Sequence, residues 1–254
     1  MKWGGQQPSS RRFALSTLAG TAVALGGNLG GITTQLLGLD GGKLAERLQL
    51  DAVYPVRGLK RCVDGVYGFE FQYPASWLAD QTVAYRAAQR AEASRALDMP
   101  PLARPPRQRP NVYEPVAAYG PAGSSGEENV SVIVAPIFEG FSLSAMGSPE
   151  KVATQFLATI APEGSAKEAH LLSASSRAGP DGTPYYSMEY TVKGPNFARH
   201  NLSVITSKND RLFTFNAQAP ITLWEQDAEG LRAAARSFAL TSSRIDTTGF
   251  PARL

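Results

Sequence analysis

Metal centres and nucleophilic sites are built chiefly from clustered histidine, cysteine and carboxylate side chains, and this chain spends few residues on them. Its two histidines, His170 and His200, stand thirty positions apart. Neither belongs to an H-E-x-x-H motif or a Cys/His cluster, so each reads as a surface or internally satisfied ring. The single cysteine, Cys62, follows Lys60 and Arg61. Their positive charge would lower the thiol pKa and make it reactive; the plainer expectation is a packed, idle side chain. The chain holds no G-x-S-x-G elbow, no G-x-x-x-x-G-K-[ST] loop and no G-x-G-x-x-G after a strand. The glycine-rich run 120–126 lacks the lysine and the following helix that cradle a phosphate. The expectation is a non-enzyme with no cofactor and no metal beyond weak calcium binding at surface carboxylates. A Ser-His-Asp triad is defined by geometry rather than spacing, so a hydrolase stays the distant alternative.

What is left to act is surface. Arg104, Arg107 and Arg109 stand among Pro100, Pro101, Pro105, Pro106, Pro110 and Pro115. Such a segment is extended and exposed. It suits docking on an acidic partner, or is a solvated loop. It is not a general nucleic-acid footprint. Of the formal net charge of +3, two units belong to residues 1–40, where Lys2, Arg11 and Arg12 face Asp40 alone. The rest is nearly neutral, and no nucleic-acid partner is expected.

The elements that must position these groups are legible from periodicity. Tyr67 to Tyr73 alternates aromatic with small or polar residues, a half-buried strand ended by Pro74, with Trp77 turning under the sheet. Residues 82–98 are alanine-rich and favour helix. Asn129 to Ile137 is apolar on both faces, which places it centrally in a sheet. Ser148 as N-cap and Pro149 at the first position open a helix whose buried side is Val152, Phe156, Leu157 and Ile160. Three further strands alternate around Tyr186–Val192, Leu202–Thr206 and Leu212–Ala217, with a shorter strand over Ala169 to Ser176. Ser207–Asp210 reads as a four-residue hairpin turn. Thr222 and Glu225 have capping-box spacing for a last helix, whose stripe is Trp224, Ala228, Leu231, Ala235 and Phe238. Strands, helix, antiparallel strands and helix make an α+β class: a mainly antiparallel sheet flanked by helices.

Three segments follow. Residues 1–45 read as a targeting segment. Arg11 and Arg12 before a glycine-containing apolar run match a twin-arginine signal, with cleavage after Ala22-Val23-Ala24 or nearer Asp40. A buried helix over 13–39 is the alternative. Residues 52–242 form one domain and 243–254 a tail. One cysteine allows no internal disulfide, so the domain relies on its core.

In their order, Tyr67-Gly68-Phe69-Glu70-Phe71 with Tyr73-Pro74 and Trp77, Asn129–Val134, Tyr185–Tyr190 and Arg211–Gln218 resemble the PsbP family of the thylakoid lumen. Tyr85–Ala88, Gly120-Pro121 and Phe197-Ala198-Arg199-His200-Asn201 resemble the plant and algal group of PsbP-domain proteins called number one, associated with photosystem I assembly. The resemblance implies an α/β/α sandwich in the chloroplast thylakoid lumen, peripheral to the membrane, without catalysis. It implies photosystem I core subunits as partners; the candidate contacts are Arg104, Arg107 and Arg109 in the long exposed loop, and Arg199, His200 and Asn201 where one strand enters the next. The alternative it leaves is an extrinsic subunit on the lumenal face of photosystem II, in the oxygen-evolving complex, helping to retain calcium or chloride.

Overall fold

A computed structural model describes residues 18, 21–23, 25–95, 114–124 and 126–241. The chain divides into two compact units between Arg61 and Cys62.

The first unit carries helices α1 (Ile32–Gly38) and α2 (Lys43–Arg47). Asp40 starts α2: its carboxylate accepts from the Gly42 N–H at 3.0 Å and the Leu44 N–H at 2.7 Å, filling two otherwise orphaned donors. Leu37, Ala45 and Val56 form a small core, flanked by Leu50 and Tyr54. Arg61 Nε donates to both carboxylate oxygens of the buried Asp51, at 3.0 and 2.9 Å. Residues 32–45, read from the sequence as targeting segment, thus supply two of the three core side chains. Arg11 and Arg12 lie outside the described residues. No described helix is long and apolar enough to cross a membrane.

The second unit is the α+β sandwich expected from the sequence. Its strands are β1 (Leu59–Asp64, entering from the first unit), β2 (Phe69–Pro74), β3 (Leu78–Ala79), β4 (Ala117–Gly120), β5 (Asn129–Pro136), β6 (Glu168–Ala178), β7 (Pro184–Gly194), β8 (Phe197–Lys208), β9 (Arg211–Pro220) and β10 (Ala239–Leu240). Its helices are α3 (Gln81–Arg95), α4 (Pro149–Ile160) and α5 (Trp224–Ser237). Seven strands form one sheet in the order β3-β4-β5-β9-β8-β7-β6, and β1-β2-β10 form a second. The neighbours in the large sheet pair antiparallel.

Period-two alternation divides the side chains of the large sheet between two cores. On one face Tyr186, Met188, Tyr190, Val192 and Ile205 pack with Val152, Ala153 and Leu157 of α4. On the other, Val204, Phe213, Phe215 and Ala217 meet Phe69 and Phe71 of β2, Leu231 and Ala235 of α5, and Phe238. Ser148 caps α4 as expected, its hydroxyl accepting from the Lys151 N–H at 3.4 Å with Pro149 at the first position.

Four readings change. The β8–β9 turn has two residues, Asn209 and Asp210, with φ of 51° and 55°, the type I′ geometry that matches strand twist. Thr222 does not cap α5; Leu223 is the N-cap residue and no side chain bonds there. β6 runs eleven residues, beyond the Ala169–Ser176 expected. Tyr67 and Gly68 lie in a turn before β2, where the Asp64 carboxylate accepts from the Val66 and Tyr67 N–H groups. The tail over 243–254 lies outside the described residues.

Candidate functional site

The side chains of β7, β8 and α5 that face one another are mostly polar at one end of the sandwich. Glu189 on β7 and His200 on β8 project from the same sheet face, one diagonal step apart in register. Trp224, the first residue of α5, lays its indole flat on His200, with ring centres 3.5 Å apart and planes 6° apart. Two helical turns on, Arg232 returns to the same carboxylate. Glu189 Oε1 is 2.7 Å from His200 Nε2 and 2.7 Å from Arg232 Nη2. The Arg232 guanidinium also stands 5.3 Å from the indole centre.

The electrostatics follow from this packing. Burial pushes the His200 pKa below its ordinary 6.5, and the bond to Glu189 recovers only part of the shift. The neutral ring therefore donates Nε2–H to the carboxylate. For Glu189, burial works to raise the pKa, but hydrogen bonds from Arg232 and His200 outweigh it and hold it below 4.5. A histidine with a carboxylate is the base half of a catalytic triad. Here one ring face is covered by Trp224, and among the described residues the His200 ring hydrogen-bonds to Glu189 alone.

His200 and Asn201 are each only 8% exposed, so neither is the surface contact expected from the sequence. Both lie well inside β8, which begins at Phe197. The Asn201 amide donates to the Arg199 carbonyl at 3.3 Å. Arg199 is half-buried, pairs with Glu127 at 2.9 Å and lies over the Phe197 ring. The structure therefore separates this triplet: one residue reaches the surface and two serve the interior. Arg104, Arg107 and Arg109 lie outside the described residues.

Beside the Glu189 cluster, a groove of about 250 Å³ opens between β6, β7 and α5. Ser173, Ser175, Ser187 and Arg177 line its sheet side, and Arg232 and Arg236 its helix side. Arg177 lies 4.1 Å over the Tyr185 ring, and its Nη2 donates to the Phe238 carbonyl. Its Nε is buried and unpartnered. Sequence reading missed these residues. The signals were weak ones: a serine-rich stretch in β6 and two arginines four apart on α5, one turn of a helix.

Cys62 is buried, and burial pushes its pKa up to about 11. The Tyr119 hydroxyl donates to its sulfur at 3.4 Å. The neighbouring Arg61 is committed to Asp51. The activation that Lys60 and Arg61 could have supplied is absent, and the thiol is held protonated. Among the described residues no three histidine, cysteine or acidic side chains gather as a metal-holding set.

The profile of the PsbP family matches residues 57–240. The chain is 43% identical to PsbP domain-containing protein 7, chloroplastic, of Arabidopsis thaliana over 236 residues, 92% of this chain and 83% of that one. To PsbP domain-containing protein 1, chloroplastic, of the same plant it is 30% identical over 139 residues, 44% of this chain and 48% of that one. The finer likeness read from the sequence is thus the weaker of the two. The fold is similar to the solution structure of cyanobacterial PsbP (CyanoP) from Synechocystis, with a TM-score of 0.50 and 24% identity over 74% of this chain and 95% of that one.

Proposed function

The chain belongs to the PsbP family, and from that premise we propose that it is a non-catalytic protein of the chloroplast thylakoid lumen that assists photosystem I assembly or stability. It binds lumenal parts of core subunits and stays peripheral to the membrane. The observation that supports docking over turnover is the interlock of Glu189, His200, Trp224 and Arg232. Each titratable group there is spent on another, and the ring that could act as a base is covered by an indole. Such a cluster fixes the β7–β8–α5 surface in one shape, which favours binding by lowering the ordering cost. The chloroplast address is supported by the names of the Arabidopsis relatives.

The test is capture of partners from solubilised thylakoids by the tagged protein, at low and moderate salt. Recovery of photosystem I core subunits or their assembly factors is the expected result. Recovery of photosystem II subunits released by salt would replace this reading with that of an extrinsic regulator.

A further inference from the structure

We propose that the groove between β6, β7 and α5 is a docking site for an extended acidic segment of a protein partner. This deepens the docking reading above by naming the chemistry of the contact.

Charge is the first argument. Three guanidiniums, Arg177, Arg232 and Arg236, line the groove against one carboxylate, Glu189. That carboxylate is already shared between Arg232 and His200. Arg236 is exposed and has no hydrogen-bond or ion-pair partner among the described residues. Arginine forks match carboxylates in geometry as well as charge.

The hydroxyls are the second argument. Ser173, Ser175 and Ser187 line the sheet side, and none has a side-chain hydrogen bond among the described residues. On the same face of β6 and β7 this row replaces the apolar side chains that α5 covers over β8 and β9. It remains uncovered, with donors free to complete a carboxylate's coordination.

Size and position fix the form of the occupant. A cavity of about 250 Å³ lies below the roughly 300–1,000 Å³ of drug-sized ligand sites, so it takes side chains rather than a cofactor. β6 is the edge of the large sheet. A partner chain can lie along it and drop alternate side chains into the groove. The bulge between Leu171 and Ser173 interrupts that edge. The carboxylate contacts, more than a long strand ladder, therefore carry the affinity.

The experiment measures binding of a labelled Asp/Glu-rich peptide and its Asn/Gln counterpart to the full chain by fluorescence anisotropy at low salt. The acidic peptide should bind and the amide peptide should not. Arg236→Gln should weaken binding by about tenfold or more, the value of a charge-assisted hydrogen bond. Arg236→Lys keeps the charge but loses the planar fork, so it should bind more weakly than the parent and more tightly than Arg236→Gln, and Lys151→Gln, on the opposite face of the sheet, should change nothing. Arg236 is exposed, so matched thermal unfolding is expected across the set. The proposal is overturned if Arg236→Gln binds like the parent, if the amide peptide binds equally, or if inorganic phosphate competes as well as the peptide. Peptide binding without capture of any photosystem subunit would remove the photosystem reading and leave the groove assignment standing.

Discussion

Replacing Phe71 by alanine should cost more than almost any other single change in the second unit. Phe71 is fully buried and sits where the small sheet meets the large one. Its ring meets Phe215 of β9 edge-on at 5.3 Å, Tyr119 of β4 edge-on at 5.8 Å, and Phe69 at 6.2 Å. A buried Phe→Ala change costs about 3–5 kcal/mol. Edge-to-face pairs add roughly 0.5–1.5 kcal/mol each beyond area. Two such pairs place Phe71→Ala at the top of the range, about 4–5 kcal/mol. In a domain of this size the melting temperature should fall by roughly 8–20 °C. Phe71→Leu fills most of the volume and should lose only about 1.5 kcal/mol. Urea unfolding followed by tryptophan fluorescence reads both, with an unchanged m-value if the denatured state is unaffected. A loss under about 1.5 kcal/mol for the alanine variant would refute the claim that this aromatic contact joins the two sheets.

Three further outcomes follow from the same geometry. The Cys62 thiol should resist alkylation at pH 8 in the folded protein and react on unfolding. Because its folded pKa is raised to about 11, its contribution to stability is complete below the unfolded value and is lost as pH rises through the folded one. His200 should titrate below 6.5 by NMR. Its folded pKa is depressed, so the unfolded chain takes up the proton first; stability is complete above about 6.5 and declines as pH falls through the folded value. Glu189, also depressed, adds to the same acid loss below about 4.5, and a flat urea midpoint from pH 7 to 4 would contradict both. At the β8–β9 turn, Asp210→Gly should be neutral or stabilising, since Asp210 holds a φ of 55°. Asp210→Val should cost about 1–2 kcal/mol on the same unfolding assay.

The strongly alternating strands β2, β5, β7, β8 and β9 and the Ser148-Pro149 start of α4 were legible because one residue's neighbours in sequence decide them. β4 was not. Its Ala117–Gly120 has little intrinsic strand preference and exists because Val130 and Val132 of β5 pair with it. β6 was read short because an edge strand only partly buried, through Ala169, Leu171 and Ala174 on one face, shows little apolar alternation. His200 looked like a surface residue because its cover, Trp224, comes from the next element. The groove was invisible for the same reason: its residues run from Ser173 to Arg236 and are gathered only by the sheet order. Cys62 is the packed side chain that a lone cysteine most plainly reads as, and the activation its sequence neighbours could have supplied does not arise. Arg61 is instead engaged with Asp51.

The most direct measurement is the level of each photosystem in thylakoids of a line lacking this protein, taken from core-subunit immunoblots and spectroscopic assays of both. A reduced photosystem I core with photosystem II retained is expected, restored by the wild-type chain and poorly by Arg236→Glu. Unchanged photosystem I in the line lacking the protein would contradict the photosystem I reading.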